Sequence, residues 1–154
     1  MFKWFNLNKP KAAKKKKKHP AFVMPKVLAV FHYATWSEAS AGMLQKFNNL
    51  KNRFDGKEVL FVTLDFTNNT TKYQAALMVA ALGIDEVAFS QKGVGFVMLY
   101  DFTTRKAIAK LTEQVSFTEM TQLLMGALET TTPEKSGKSA LWIGEQPSKT
   151  TEKK

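Results

Sequence analysis

No cysteine occurs anywhere in the 154-residue chain. Disulfides, thiolate metal sites, iron–sulfur clusters and every thiol-based reaction are excluded with it. Reducing and oxidising compartments both tolerate such a chain, so this absence does not fix a location. Histidine is almost as scarce: His19 and His32 are the two present, no cluster of metal ligands is legible, and neither a metal nor a cofactor is expected. No apolar run approaches the roughly 18–20 residues of a membrane-spanning helix, which argues against an integral membrane protein. The N-terminal residues also lack the apolar stretch of a secretory signal, so the expected location is cytoplasmic. Acidic residues are missing from residues 1–20, which hold eight lysines and therefore carry +8 of the net +10. Residues 21–128 hold ten basic and nine acidic residues, and residues 129–154 hold five and four. The charge map describes a near-neutral globule with one cationic arm, and the globule itself shows no basic face for nucleic acid.

Three segments follow from composition: a basic arm over residues 1–20, a domain over 21–129 and a polar tail over 130–154. The arm opens with a short aromatic stretch containing Phe2, Trp4, Phe5 and Leu7, then carries Lys9, Lys11 and the unbroken run Lys14, Lys15, Lys16, Lys17 and Lys18. Like charges at successive positions repel, so the run is expected to be extended and solvated unless an anion neutralises it. Its partners by chemistry are nucleic acid, an anionic membrane surface, or an acidic protein in a larger complex. Binding through it should fall steeply with salt, because exposed charges are screened over about 8–10 Å. The tail is rich in Thr, Ser, Lys, Pro and Glu, interrupted by Leu141, Trp142 and Ile143. Three bulky apolar residues in a polar tail suggest an anchor, either on this domain or on a partner. Ser136-Gly137-Lys138-Ser139 matches only the end of a phosphate-binding loop; position 132 is Thr where the first glycine belongs, and no strand precedes it.

Between arm and tail the hydrophobic periodicity alternates. Residues 26–33 form a β-branched and aromatic run of strand length. Ala39, Met43, Phe47, Leu50 and Phe54 recur at helical spacing, and Asp55-Gly56 closes that helix. Residues 58–66 predict a second strand, apolar enough to be buried on both faces. Asn68-Asn69-Thr70-Thr71 is a turn and cap cluster before a helix over about 71–82, with Tyr73, Leu77, Ala80 and Ala81 facing inward and Gly83 stopping it. Residues 96–101 and 107–111 predict strands joined by a short hairpin connection, and Ser116 caps a last helix carrying Phe117, Met120, Leu124 and Leu128. The order β-α-β-α-β-β-α predicts an α/β fold, a mixed sheet of about four strands with helices on both faces.

At the end of the first strand stands Ala34-Thr35-Trp36-Ser37-Glu38-Ala39-Ser40, opening a helix. Here the chain resembles the thioredoxin superfamily, whose members carry W-C-x-x-C at this place. Asp65 at the end of the next strand and Gly93-Val94-Gly95-Phe96 before the hairpin line up as well. The resemblance covers residues 22–128 and implies a thioredoxin-like fold with its first strand and helix shortened or missing.

The departures from that pattern decide the expected function. Both cysteine positions are serine, Ser37 and Ser40; the family's buried acid falls at Phe31; its cis-proline falls at Gly95; and Gln45 stands where many members kink the helix with proline. A serine hydroxyl forms no disulfide, so thiol–disulfide exchange is excluded. At Gly95 a trans bond is expected, since a non-proline cis bond costs about 3 kcal/mol. Ser37 fits a helix cap, and Thr35 to Glu38 fits a capping box. A nucleophilic Ser37 needs a base, and His32 lies within a strand with its side chain on the face opposite Phe31 and Tyr33. The resemblance implies a peptide groove at Tyr33, Trp36, Ser37, Val94 and Gly95, with Val94 offering backbone hydrogen bonds to an extended peptide. The expected protein is a non-catalytic binding or structural domain, an accessory subunit tied into a larger assembly by its arm and tail.

Overall fold

The computed structural model describes residues 23–131. The lysines of the arm, Trp4 and Phe5, and Leu141, Trp142 and Ile143 lie outside the described residues. Eight elements follow in order: β1 (Val27–Tyr33), α1 (Glu38–Arg53), β2 (Val59–Asp65), α2 (Asn69–Leu82), α3 (Asp85–Ser90), β3 (Phe96–Asp101), β4 (Ala107–Thr112) and α4 (Phe117–Thr130). The strands form one four-stranded sheet in the order β2-β1-β3-β4. β1 pairs with β2 in parallel, as a βαβ crossover requires, and with β3 antiparallel; β3 and β4 form the hairpin. This is a thioredoxin-like α/β fold with a mixed sheet and helices on both faces.

The two-residue alternation of β1 divides the core. Val27, Ala29 and Phe31 face one side and pack on Met43, Phe47 and Leu50 of α1, on its C-cap Phe54, and on Met120, Leu124 and Ala127 of α4. Leu28 and Val30 face the other side, with Ala75 and Val79 of α2, Ile84, Ala88 of α3, and Phe96, Met98 and Tyr100 of β3. Seven consecutive apolar or aromatic positions are needed because β1 is central and covered on both faces.

Two expectations fail on topology. β2 is an edge strand, and of its seven residues Leu64 is the one fully buried. An apolar run reads alike for a central strand and for an edge strand half covered by a helix. On α2, Tyr73 and Leu77 are 70 % and 58 % exposed, while Ala75 and Val79 are buried. This helix carries apolar residues almost all round, so spacing could not select its inner face. α2 packs on β2 through small residues instead. α3 was also absent from the expected order. It has no side-chain cap and spans six residues, too few for a helical period to register.

The remaining boundaries have visible chemical causes. Asn68 and Thr71 form a reciprocal capping box on α2, Ser116 and Glu119 form another on α4, and Gly83 ends α2 in the left-handed conformation. Asp101 Oδ1 accepts from the N–H groups of Thr103 and Thr104 and so folds the hairpin connection.

Candidate functional site

The site is built where β1 ends, α1 begins and the loop before β3 passes beneath. Ser37 is the N-cap of α1; its Oγ accepts from the Ser40 N–H at 3.3 Å. The cap is therefore Ser37 rather than Thr35. Thr35 instead donates its N–H to Thr67 Oγ1 at 3.1 Å, and the Thr67 hydroxyl and N–H both donate to the Asp65 carboxylate. Asp65 thus serves as a strut that fixes the β1–α1 loop from the end of β2. Ser40 is fully buried, and its Oγ accepts from the Ala34 N–H at 3.1 Å. Each serine at a motif position is engaged with backbone.

These two bonds are not equal. Ser37→Ala should lower stability by about 1 kcal/mol, the ordinary cost of a lost cap. Ser40→Ala leaves the N–H of fully buried Ala34 without its acceptor, and should cost about 1–3 kcal/mol. Urea unfolding of the two variants should rank Ser40→Ala as the weaker protein. The reverse order would show that Ser40 Oγ is dispensable.

Phe31, where the resemblance to thioredoxins implies a buried acid, is fully buried in the α1–α4 core, with its ring centroid 4.9 Å from that of Phe47 and 5.6 Å from that of Tyr33. A carboxylate has no aqueous or polar partner there. Gly95 has φ +87°, and its N–H donates to His32 O at 2.7 Å. A Cβ at this position would sit 2.5 Å from Ala39 Cβ and 2.8 Å from Ser40 N. Only glycine lets the loop press so closely on the first turn of α1. No peptide bond among the described residues is cis.

His32 lies on the opposite face from Phe31 and Tyr33. It is 1 % exposed, stacked on Phe96 at 4.5 Å and on Phe66 at 5.7 Å. Its Nε2 has no hydrogen-bond partner. Burial, with a smaller contribution from the Lys110 ammonium, pushes its pKa down to about 4, so the ring is neutral at physiological pH. His32 borders a cleft of about 260 Å³ together with Trp36, Phe66, Phe89 and Val94. Trp36 and Phe89 are 66 % and 60 % exposed at its rim.

The structure thus brings Trp36 and Val94 together at one cleft. Tyr33 is not among the lining residues: its ring packs on the α1–α4 core. Ser37 and Gly95 lie beneath, occupied in the backbone joint. Phe66 and Phe89 complete the cleft; neither is marked by any motif, since each reads as an ordinary apolar residue at the end of an element. Nucleophilic catalysis at Ser37 would need a base; His32, the one histidine among the described residues, belongs to the sheet face, stacked between two phenylalanines. Among the described residues, no group of three or more His, Asp or Glu side chains could hold a metal ion. No helix among them is long and apolar enough to cross a membrane.

No family model and no curated protein matches the chain. Solved structures do. One titled as the structure of a malarial protein aligns at 14 % identity and TM-score 0.45, over 67 % of this chain and 98 % of that one. A protein named Trxlp from Edwardsiella tarda aligns at 13 % identity and TM-score 0.45, over 64 % and 82 % of the two chains. A cysteine-to-serine mutant of an Entamoeba histolytica thioredoxin aligns at 13 % identity and TM-score 0.43, over 66 % and 82 %.

Proposed function

We propose that this chain is a redox-inactive thioredoxin-like binding module, an accessory subunit that engages a protein partner through the cleft beside Trp36. The observation that supports it is the combination at the motif itself. Both serines are committed to the backbone of the β1–α1 joint, while the neighbouring Trp36 and Phe89 are exposed aromatic rings that line one cleft. Exposed aromatics over a concave apolar surface are what partner recognition uses, since buried Trp and Tyr anchors dominate interface energies. The eight lysines of residues 1–20 add a second point of attachment, suited to an acidic partner. Docking of the same arm on nucleic acid or an anionic membrane is the alternative. RNA gel shift and liposome flotation, each with and without residues 1–20, separate the three.

The test uses affinity capture from native extract with three forms of the full chain. A partner held by the wild type should be lost from Trp36→Ala/Phe89→Ser, with an affinity drop of about 30-fold for each ring that acts as an anchor of about 2 kcal/mol, and up to about 1,000-fold for the pair. Leu77→Ser removes an equally exposed apolar side chain on α2 and should retain the partner. Equal capture by all three forms would place the binding surface elsewhere. In parallel, insulin reduction with dithiothreitol should match the protein-free blank. Ser37→Cys/Ser40→Cys should recover little of that activity, because Phe31 and Gly95 still leave no buried acid and no proline-shaped groove.

A further inference from the structure

We propose that the tail folds back, and that Leu141, Trp142 and Ile143 occupy the apolar groove between β4 and α4 of their own chain. The groove encloses about 730 Å³. Its wall on α4 is a stripe along the whole helix, Glu119, Leu123, Gly126 and Thr130, at the three- and four-residue spacing of one helical face. Ile108 of β4 and Val115 form the other side. Ile108 and Leu123 are exposed large apolar residues. A Cβ added at Gly126 would meet nothing within 4 Å, so the middle of the groove is open down to helix backbone. A bulky ring fits such a seat without displacing anything.

Three observations favour the chain's own tail over another occupant. The described chain ends at Thr131, and Thr130 is itself part of the groove, so the tail starts at the groove's rim. Residues 132–154 contain one cluster of bulky apolar side chains, Leu141 to Ile143, in an otherwise polar composition. The geometry of the tether also matches. Nine residues separate Thr131 from Leu141, and a random-coil linker of that length has a root-mean-square span of about 15–18 Å. The stripe from Glu119 to Thr130 is about 17 Å long at 1.5 Å per residue. The seat at Gly126 lies about 8 Å along the helix from Thr131, well inside the tether's reach, so the effective concentration of the tail at the groove falls in the millimolar range of short linkers. Even a weak contact is then formed most of the time. Burying Ile108 and Leu123 under the tail also removes an apolar patch on the edge of the sheet.

The chain contains three tryptophans, Trp4, Trp36 and Trp142, so the full chain bearing Trp4→Phe and Trp36→Phe reports on Trp142 alone. Its emission should be blue-shifted and shielded from acrylamide, and both properties should be independent of protein concentration. Adding Ile108→Lys/Leu123→Lys, two exposed positions, should release the ring and raise acrylamide quenching several-fold with the circular dichroism unchanged. Gly126→Leu, which fills the seat without adding charge, should do the same and stands in if the lysine pair disturbs folding. A solvent-exposed Trp142 in the parent would overturn the proposal. So would shielding that survives both groove variants, which would put the ring on another surface. Shielding that appears only as concentration rises would make the groove a contact between copies, and would overturn the intrachain form.

Discussion

Gly95→Pro, which introduces the proline that thioredoxin-superfamily members carry at the corresponding place, should be among the most damaging single substitutions in the domain. Proline fixes φ near −65° and has no N–H. Gly95 has φ +87° and donates its N–H to His32 O at 2.7 Å. The new ring must also share space with Ala39, since even a Cβ would lie 2.5 Å from Ala39 Cβ. Lost hydrogen bond, reversed dihedral and overlap together should cost on the order of 4 kcal/mol. For a domain of about this size that lowers Tm by roughly 15–25 °C. Gly95→Ala keeps the N–H but meets the same overlap and the same unfavourable φ, and should lose about 2–3 kcal/mol. Differential scanning calorimetry of the three proteins measures the series. A Gly95→Pro protein that melts within a few degrees of wild type would mean that this loop can adopt the family's geometry, and that the close packing on α1 is not required.

The second large effect is on pH. His32 has a folded-state pKa of about 4, set first by burial and then by Lys110, against 6.5 for an ordinary histidine. As pH falls, the unfolded chain therefore takes up a proton before the folded one does. Stability should be fully present above about pH 6.5 and should decline as pH falls toward about 4, where the folded protein also begins to charge this ring. The gap between the two pKa values corresponds to about 3 kcal/mol over that window. Carboxylates titrate near its lower end, so the informative quantity is the difference between wild type and His32→Phe. A phenyl ring suits the slot between Phe66 and Phe96 and carries no proton. The stability of His32→Phe relative to wild type should rise as the solution is acidified. A difference that stays constant across the window would show that His32 is hydrated or partnered in the folded state.

Much of this fold was legible in the sequence because its signals are local. The caps at Asn68 and Ser116, the stop at Gly83, the helical spacing of Met43, Phe47 and Leu50, and the strand runs flanking the hairpin all act within a few residues. They placed seven of eight elements. The errors occurred where a side chain's fate depends on distant chain. Leu60 and Leu28 look equally apolar, yet Leu28 is fully buried and Leu60 is 36 % exposed, because β1 has a neighbour on both sides and β2 on one. Likewise Tyr73 and Leu77 lost the inner face of α2 to Ala75 and Val79, a choice made by the surface against which the helix packs.

Residue identities alone exclude thiol chemistry here, and local patterns give the order of seven of the eight elements. A chain without sulfur at the motif has no thiolate, whatever its fold, and residue identity alone decides that. It also determined that Ser37 sits at a helix start, because capping preference is local. What the motif positions now do follows from packing between distant segments. Ser40 is a buried acceptor for the Ala34 N–H, Gly95 is the place where a loop touches the backbone of α1, and Trp36 and Phe89, 53 residues apart in sequence, border one cleft. Those roles arise from close approach between segments far apart along the chain, and packing of that kind is set by the whole sheet and its helices, not by any neighbourhood of residues.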